Sequence, residues 1–269
     1  MENSLEGLEK LRDGIIYDNV TNYIYSSPHT VPKIIHQTWK TNDIPNVWKS
    51  SRESWIKYHK KYVYVLWTDE MNRKLILDYY PWFIEYYDKF PYNIQRADAI
   101  RPFILHRYGG LYSDLDIKPT KSFEPLLKHK SSVILLSDNG RYTNMIMASN
   151  IGNPFWINVF DAMKSPNIPW YCGTRHFYIQ ATTGPILIDK VARNFKGKGN
   201  IIDFPSKFVQ PCSICESKPC TSKKAYVIML EGSSWHYLDS KVITFLSCKY
   251  KSLLFIFVSI IALIFIYNN

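Results

Sequence analysis

The sequence predicts one α/β domain on a parallel sheet, followed by a single apolar C-terminal segment. Three observations carry this. Strand-like and helix-like segments alternate through the first half of the 269-residue chain, which is the pattern of a parallel sheet with crossover helices. The composition, 46% apolar and 16% aromatic, buries enough surface to offset the entropy of ordering. Residues 252–267 read SLLFIFVSIIALIFIY without a charge. The length fits one domain of about 250 residues. Collagen-like and low-complexity classes are excluded, because the 11 Gly and 15 Pro follow no period. Five cysteines are too few, and odd in number, for a disulfide scaffold.

Residues 1–30 are a polar lead-in, with a short helix near Leu5–Leu11. Val31–Trp39 follows, rich in β-formers, as a buried strand ending in polar residues. Val47, Trp48, Trp55 and Tyr58 recur at near-helical spacing and predict a helix over Asn46–Tyr58. Tyr62–Trp67 is the second strand, and Thr68 then caps a helix with Asp69 and Glu70 in its first turn, stopped at Pro81. A helix over Ile94–Tyr108 ends at Gly109-Gly110, with Pro102 expected to kink it. Leu111–Ser113 is a short strand delivering Asp114-Leu115-Asp116 at its C-terminal end, where ligands bind in open α/β sheets. Strands are expected at Ser132–Ser137, Met145–Ala148 and Ala225–Leu230, a helix at Asn153–Lys164, and mostly loop over 194–224. The catalytic domain is taken as 31–241 and the membrane helix as 252–267.

The net charge of +10 is spread over dispersed lysines. Nucleic acid is not indicated, because no compact basic run interleaves with aromatics. A phosphate-bearing substrate or an anionic membrane suits dispersed charge. Residues 252–267 would span about 24 Å as a helix, and Lys249 with Lys251 precede them. The positive-inside bias then places the domain on the cytoplasmic face, whereas a sequon at Asn19 points weakly to the lumen. MENSLEGLEKLRDG has no apolar core, so no signal peptide is expected. The location read is an endomembrane of ER or Golgi type, its side left open. Cys212, Cys215 and Cys220 have metal-like spacing but no nearby fourth ligand. Reduced thiols would suit the cytoplasmic face, and an internal disulfide would mean the opposite topology.

Gly109 to Asp116 is the strongest chemical signal. Side chains i and i+2 share a face only in a regular strand. At a strand end the backbone turns, and both carboxylates can converge on one hard divalent ion that keeps water and phosphate as its remaining ligands. Such a metal would neutralise the diphosphate leaving group of a sugar donor. The aspartyl-phosphate phosphatases also place Asp-x-Asp after a strand, but here Lys118 stands two residues after the second Asp and the chain has no Asp-Asp pair.

Ile34–Trp39, Leu66-Trp67-Thr68-Asp69, Gln95–Arg101 and Tyr108–Asp116, in that order, resemble glycosyltransferase family 32. That family includes the inositol phosphorylceramide mannosyltransferases and the α-1,6-mannosyltransferases. The resemblance covers about residues 31–190 and again Gly232–Asp239. It implies a GT-A fold, a nucleotide-sugar donor (GDP-mannose), Mn²⁺ or Mg²⁺, retention at the anomeric carbon, and a membrane-associated acceptor such as an inositol phosphosphingolipid. It implies Asp116 as direct metal ligand, with Asp114 reaching ribose or donor sugar and the metal through water. Asp98 and Arg101 would bond donor-sugar hydroxyls, and an acid and a guanidinium three apart on a helix suit vicinal hydroxyls. His36, Gln37, Trp39 and Asp69 would hold base and ribose. Trp235 would cover the donor, His236 would approach the metal, and Asn144 would stand on the acceptor side. Core packing explains Trp39 equally well, and helix capping explains Asp69. Two alternatives stay open: a nucleotide-sugar-binding membrane protein without turnover, and a glycosyltransferase acting on a protein or polysaccharide glycan.

Overall fold

A computed structural model of the chain describes residues 31–127, 133–138, 140–170, 172–195, 201–205, 215, 225–232 and 238–250. The expected lead-in over 1–30 and the apolar run 252–267 lie outside the described residues. Among the described residues no helix is long and apolar enough to cross a membrane.

The first elements follow the sequence closely. Strand β1 (Ile34–Thr38) leads to helix α1 (Asn46–Tyr58), strand β2 (Val63–Trp67) and helix α2 (Asp69–Tyr79). Thr68 caps α2, its hydroxyl accepting from Met71 N at 3.2 Å. A 3₁₀ turn at Pro81–Phe83 and helix α3 (Ile84–Lys89) carry the chain into helix α4 (Asn93–Tyr108). α4 runs on through Pro102 as one helix. Its flanks bury Ala99, Ile100, Phe103 and Ile104, so packing on both sides holds the helix where one backbone bond is missing. Strand β3 (Gly110–Ser113) and strand β4 (Ile117–Pro119) bracket the two aspartates.

The turn from α4 into β3 requires its glycines. Gly110 has φ +93°, and a Cβ there would lie 2.6 Å from Ile34 O. Gly109, at φ +62°, leaves no more room, with Pro32 Cδ at 2.7 Å. Only glycine permits both the left-handed backbone and this approach to β1.

The second half departs from the expected parallel sheet. Strands β5 (Val133–Asp138) and β6 (Arg141–Ser149) form an antiparallel hairpin around Gly140, at φ +76°. β6 inserts antiparallel between β5 and β3. Helices α5 (Phe155–Lys164), α6 (Arg175–Thr182) and α7 (Pro185–Asn194) follow, and strand β7 (Ile201–Pro205) pairs parallel to β5 inside the stretch expected as loop. The six-stranded order is β2-β1-β3-β6-β5-β7, so the sheet is mixed. A separate two-stranded sheet joins β4 to β8 (Val227–Met229). Residues 238–250 form a last described helix, α8.

The main core lies between the sheet and helices α2 to α5, where Phe103 stacks on Phe160 at 4.0 Å. A second core under α1 gathers Trp55, Ile35, Leu111 and Phe123. Cys215 and Cys248 form a disulfide. Of the two thiol states left open by the sequence this is the internal disulfide, and it removes Cys215 from any zinc site, while Cys212 and Cys220 lie outside the described residues.

Candidate active site

Strands β1, β2 and β3 are mutually parallel, so their C-terminal ends share one edge of the sheet. β1 and β3 end in Thr38 and Ser113, and β2 ends in the buried Trp67 with Thr68 and Asp69 following it. Along that edge lies a cleft of about 400 Å³ lined by Trp39, Asp69, Arg101, Asp114, Asp116 and Arg175, among others.

Arg101, on α4, organises the floor. Its Nη2 lies 2.9 Å from Asp98 Oδ1 and 3.0 Å from Asp114 Oδ1. Its Nη1 donates to Asn144 O at 3.0 Å, its Nε donates to Ala97 O, and its guanidinium lies 5.0 Å over the Tyr112 ring. Asn144 closes the set by donating to Asp98 Oδ1 at 3.1 Å. Tyr112 OH donates to Asp114 Oδ1 at 3.0 Å and pairs with Thr38 Oγ1. Asp98 and Arg101 are almost fully buried, which makes this a low-dielectric network in which each charge depends on the others.

The electrostatics follow from that burial. Desolvation pushes the Asp98 carboxyl up to about 6 against the pull of Arg101. It pushes Asp116 up to about 7, with the neighbouring Asp114 charge adding to the effect. Burial also raises Asp114, opposed by Arg101 and the Tyr112 hydroxyl. Burial would depress Arg101, but Asp114, Tyr112, Asp98 and Asp116 outweigh it and hold the guanidinium above its usual range. Two carboxylates crowded at a cleft rim with one shared guanidinium leave negative charge that a cation would relieve. The donor set, carboxylate oxygens with the remaining positions facing the cleft, fits a hard divalent ion. Among the described residues no third His, Cys, Asp or Glu joins them.

The backbone fixes the loop that carries both aspartates. Asp114 N donates to Met145 O at 2.9 Å, and Leu230 N donates to Asp116 O at 2.7 Å. Gln37 Nε2 donates to Asp114 O at 3.0 Å while its Oε1 accepts from Tyr64 OH. Trp48 stands edge-on to Trp39 at 5.1 Å and donates to Glu231 O.

The structure therefore brings Trp39, Asp69, Arg101, Asp114 and Asp116 to the cleft. Asp98, Asn144 and Gln37 lie beneath it as supports, and Asn144 faces the Asp98–Arg101 pair. His36 is fully buried. Its Nε2 donates to Gly109 O at 2.9 Å and its Nδ1 accepts from Trp67 Nε1 at 3.1 Å, so both ring nitrogens are engaged in the core. Burial brings its pKa down to about 4, with the Gly109 bond opposing, and keeps the ring neutral. Trp235 and His236 lie outside the described residues. Sequence reasoning missed Lys40, Trp48 and Arg175, which also line the cleft. Nothing local marks Arg175, which stacks 4.1 Å over Tyr92 from a helix far along the chain.

A carboxylate pair, a buried guanidinium and an aromatic wall thus meet at the C-terminal edge of a mixed α/β sheet. Residues 45–133, about a third of the chain, match the glycosyltransferase sugar-binding region containing the DXD motif.

Similarity to known proteins extends over more of the chain. It is 38% identical to inositol phosphoceramide mannosyltransferase 3 of Schizosaccharomyces pombe, over 83% of this chain and 61% of that one. It is 37% identical to the mannosyl phosphorylinositol ceramide synthase CSH1 of Saccharomyces cerevisiae, over 82% of this chain and 57% of that one. The chain thus spans about three-fifths of the length of these relatives. The solved PaToxG glycosyltransferase is 16% identical with a TM-score of 0.49, over 71% of this chain and 79% of that one.

Proposed function

We propose that the chain is a metal-dependent, retaining mannosyltransferase of GT-A type. It moves mannose from GDP-mannose to a membrane-associated inositol phosphosphingolipid. The observation that supports this most is the meeting of Asp114, Asp116 and Arg101 in one cleft beside Trp39 and Asp69. The relatives named above support the sugar and the acceptor.

In this reading Asp116, with Asp114 beside it, would hold Mn²⁺ or Mg²⁺, which supplies charge neutralisation for the diphosphate leaving group. Trp39 and Asp69 receive the base and ribose. Asp98, held by Asn144 beneath the cleft, fixes the Arg101 guanidinium, which meets the sugar hydroxyls at a set position. Arg101 offsets part of the carboxylate charge, and a bound divalent ion would offset the rest so that the diphosphate can enter. The transfer is read as a front-face one, which needs no covalent nucleophile from the protein. The resemblance alone assigns His236 and Trp235 to the donor side.

The Cys215–Cys248 disulfide supports a domain on the lumenal face of an endomembrane, because such bonds persist in oxidising compartments. This reverses the orientation that the flanking lysines suggest.

The test is a screen of nucleotide sugars for divalent-cation-dependent hydrolysis and for transfer to inositol phosphoceramide. Selective turnover of GDP-mannose is expected. Absence of turnover with every donor would leave the nucleotide-sugar-binding alternative, and transfer only to protein or polysaccharide glycans would displace the lipid acceptor.

A further inference from the structure

Helix α8 is held to the body on one side only. Its Asp239 Oδ2 accepts from His176 N at 2.8 Å, and Ser240 Oγ lies 2.9 Å from His176 Nδ1. Further along, the Cys248–Cys215 disulfide fastens it again. The opposite side carries Leu238, Val242, Phe245, Leu246 and Tyr250 at helical spacings of three and four, all of them exposed. Leu238 is 78% exposed and Phe245 59%. Five large apolar side chains in one stripe are more than scattered surface residues require. Lys241 and Lys249 are exposed beside them.

We propose that this stripe is a membrane-docking surface: α8 lies along the headgroup boundary of an anionic bilayer, with its lysines reaching back to the phosphates. Three observations select a bilayer over a protein partner. An apolar face with Lys241 at its edge and Lys249 within it, both long enough to reach back to headgroups, is the chemistry of an interfacial helix. The chain's net charge of +10 complements an anionic surface. The sequence passes from α8 into the uncharged run 252–267, so the stripe adjoins the most apolar stretch of the chain. The pinning contact fixes the consequence for the site. His176 follows Arg175, which lines the cleft, so docking of α8 ties the Arg175 rim to the lipid surface. For its functional consequence the inference rests on the lipid-acceptor reading; for its geometry it does not.

The experiment uses the full chain with Cys212 and Cys220 changed to Ser. Nitroxide labels are placed by Val242→Cys, Phe245→Cys and, on the inner side, Thr244→Cys. The vesicles are phosphatidylcholine with about one-third phosphatidylinositol, whose anionic headgroup matches the proposed acceptor. The labels at 242 and 245 should collide with oxygen and be shielded several-fold from a water-soluble nickel chelate relative to 244. Equal chelate access at all three positions overturns the proposal, as does label–label coupling showing that a second copy covers the stripe. A Val242→Asp/Phe245→Asp variant should hydrolyse donor in detergent at the wild-type rate. It should lose about tenfold in transfer to acceptor embedded in vesicles, because the helix sets the effective concentration of the cleft at the surface. Unchanged transfer overturns the proposal, and if the variant fails to fold the label measurements decide alone. A wild-type chain that transfers to no lipid while its labels report docking refutes the lipid-acceptor reading and leaves this one standing.

Discussion

Replacing Arg101 with Met tests whether the floor of the cleft is an interdependent charge network. Methionine keeps much of the side-chain volume and removes the charge. In the native chain the guanidinium is 7% exposed, with Asp98 and Asp114 at 2.9 and 3.0 Å and 8% and 26% exposed. Removing one partner of a buried ion pair costs about 3–5 kcal/mol, because the remaining charge stays uncompensated. The partial exposure of Asp114 places the expected loss toward the lower end, near 3 kcal/mol. Loss of the donor to Asn144 O falls within that figure, since the contacts share one network. Asp98→Asn alone should cost about 1 kcal/mol, the scale of one altered hydrogen bond. The pair of changes together should recover more than about 1 kcal/mol relative to the sum of the singles. Urea unfolding of the full chain in mild detergent, followed by tryptophan fluorescence, provides the four corners of the cycle. An Arg101→Met loss under about 1 kcal/mol, or strict additivity with Asp98→Asn, would refute the network.

Three further outcomes are expected. Asp116→Asn should lower turnover by more than about a hundredfold with little change in unfolding midpoint; retention of metal-dependent turnover would take Asp116 out of the metal site. His36 carries a pKa of about 4 in the fold against 6.5 when unfolded, so the unfolded chain binds the extra proton between those values. Stability should therefore fall as pH drops through that window, by about 3 kcal/mol in all; a His36→Gln variant should show a flatter profile than wild type in urea titrations from pH 7 to 4, and identical slopes would refute the assignment. Gly110→Ala should destabilise by about 2 kcal/mol or more, since its Cβ would sit 2.6 Å from Ile34 O at φ +93°; a thermal midpoint within a degree of wild type would contradict the geometry.

The first four helix and strand boundaries were legible because each has a local cause. Apolar spacing fixed Asn46–Tyr58, Thr68 capped α2, and two glycines ended α4. Asp114 and Asp116 were legible for the same reason, as a polar pair at the end of an apolar strand. The antiparallel insertion of β6 was not read, although Asn139-Gly140 between two apolar runs is a hairpin signal. β7 escaped because its pairing with β5 spans more than sixty residues and leaves no local trace. His36 read as a ligand because sequence shows a residue type and not its depth. Its partners Gly109 and Trp67 meet it only after the sheet forms. Arg175 is the converse case, an ordinary arginine that tertiary contacts bring to the rim.

The short β4–β8 sheet has a consequence for the order in which the site is made. Ile117–Pro119 pairs with Val227–Met229, and Leu230 N holds Asp116 O, so the loop bearing Asp116 is closed by a segment synthesised more than a hundred residues later. Contacts of such sequence separation form late, since the intervening chain must first be ordered. A nascent chain that has reached residue 200 has the strands β1 to β3 and most of the main core, but not the clasp on the aspartates. Donor and metal affinity thus become properties of the finished chain, and a C-terminal nick or truncation before residue 230 should silence the site while much of the main core remains in place.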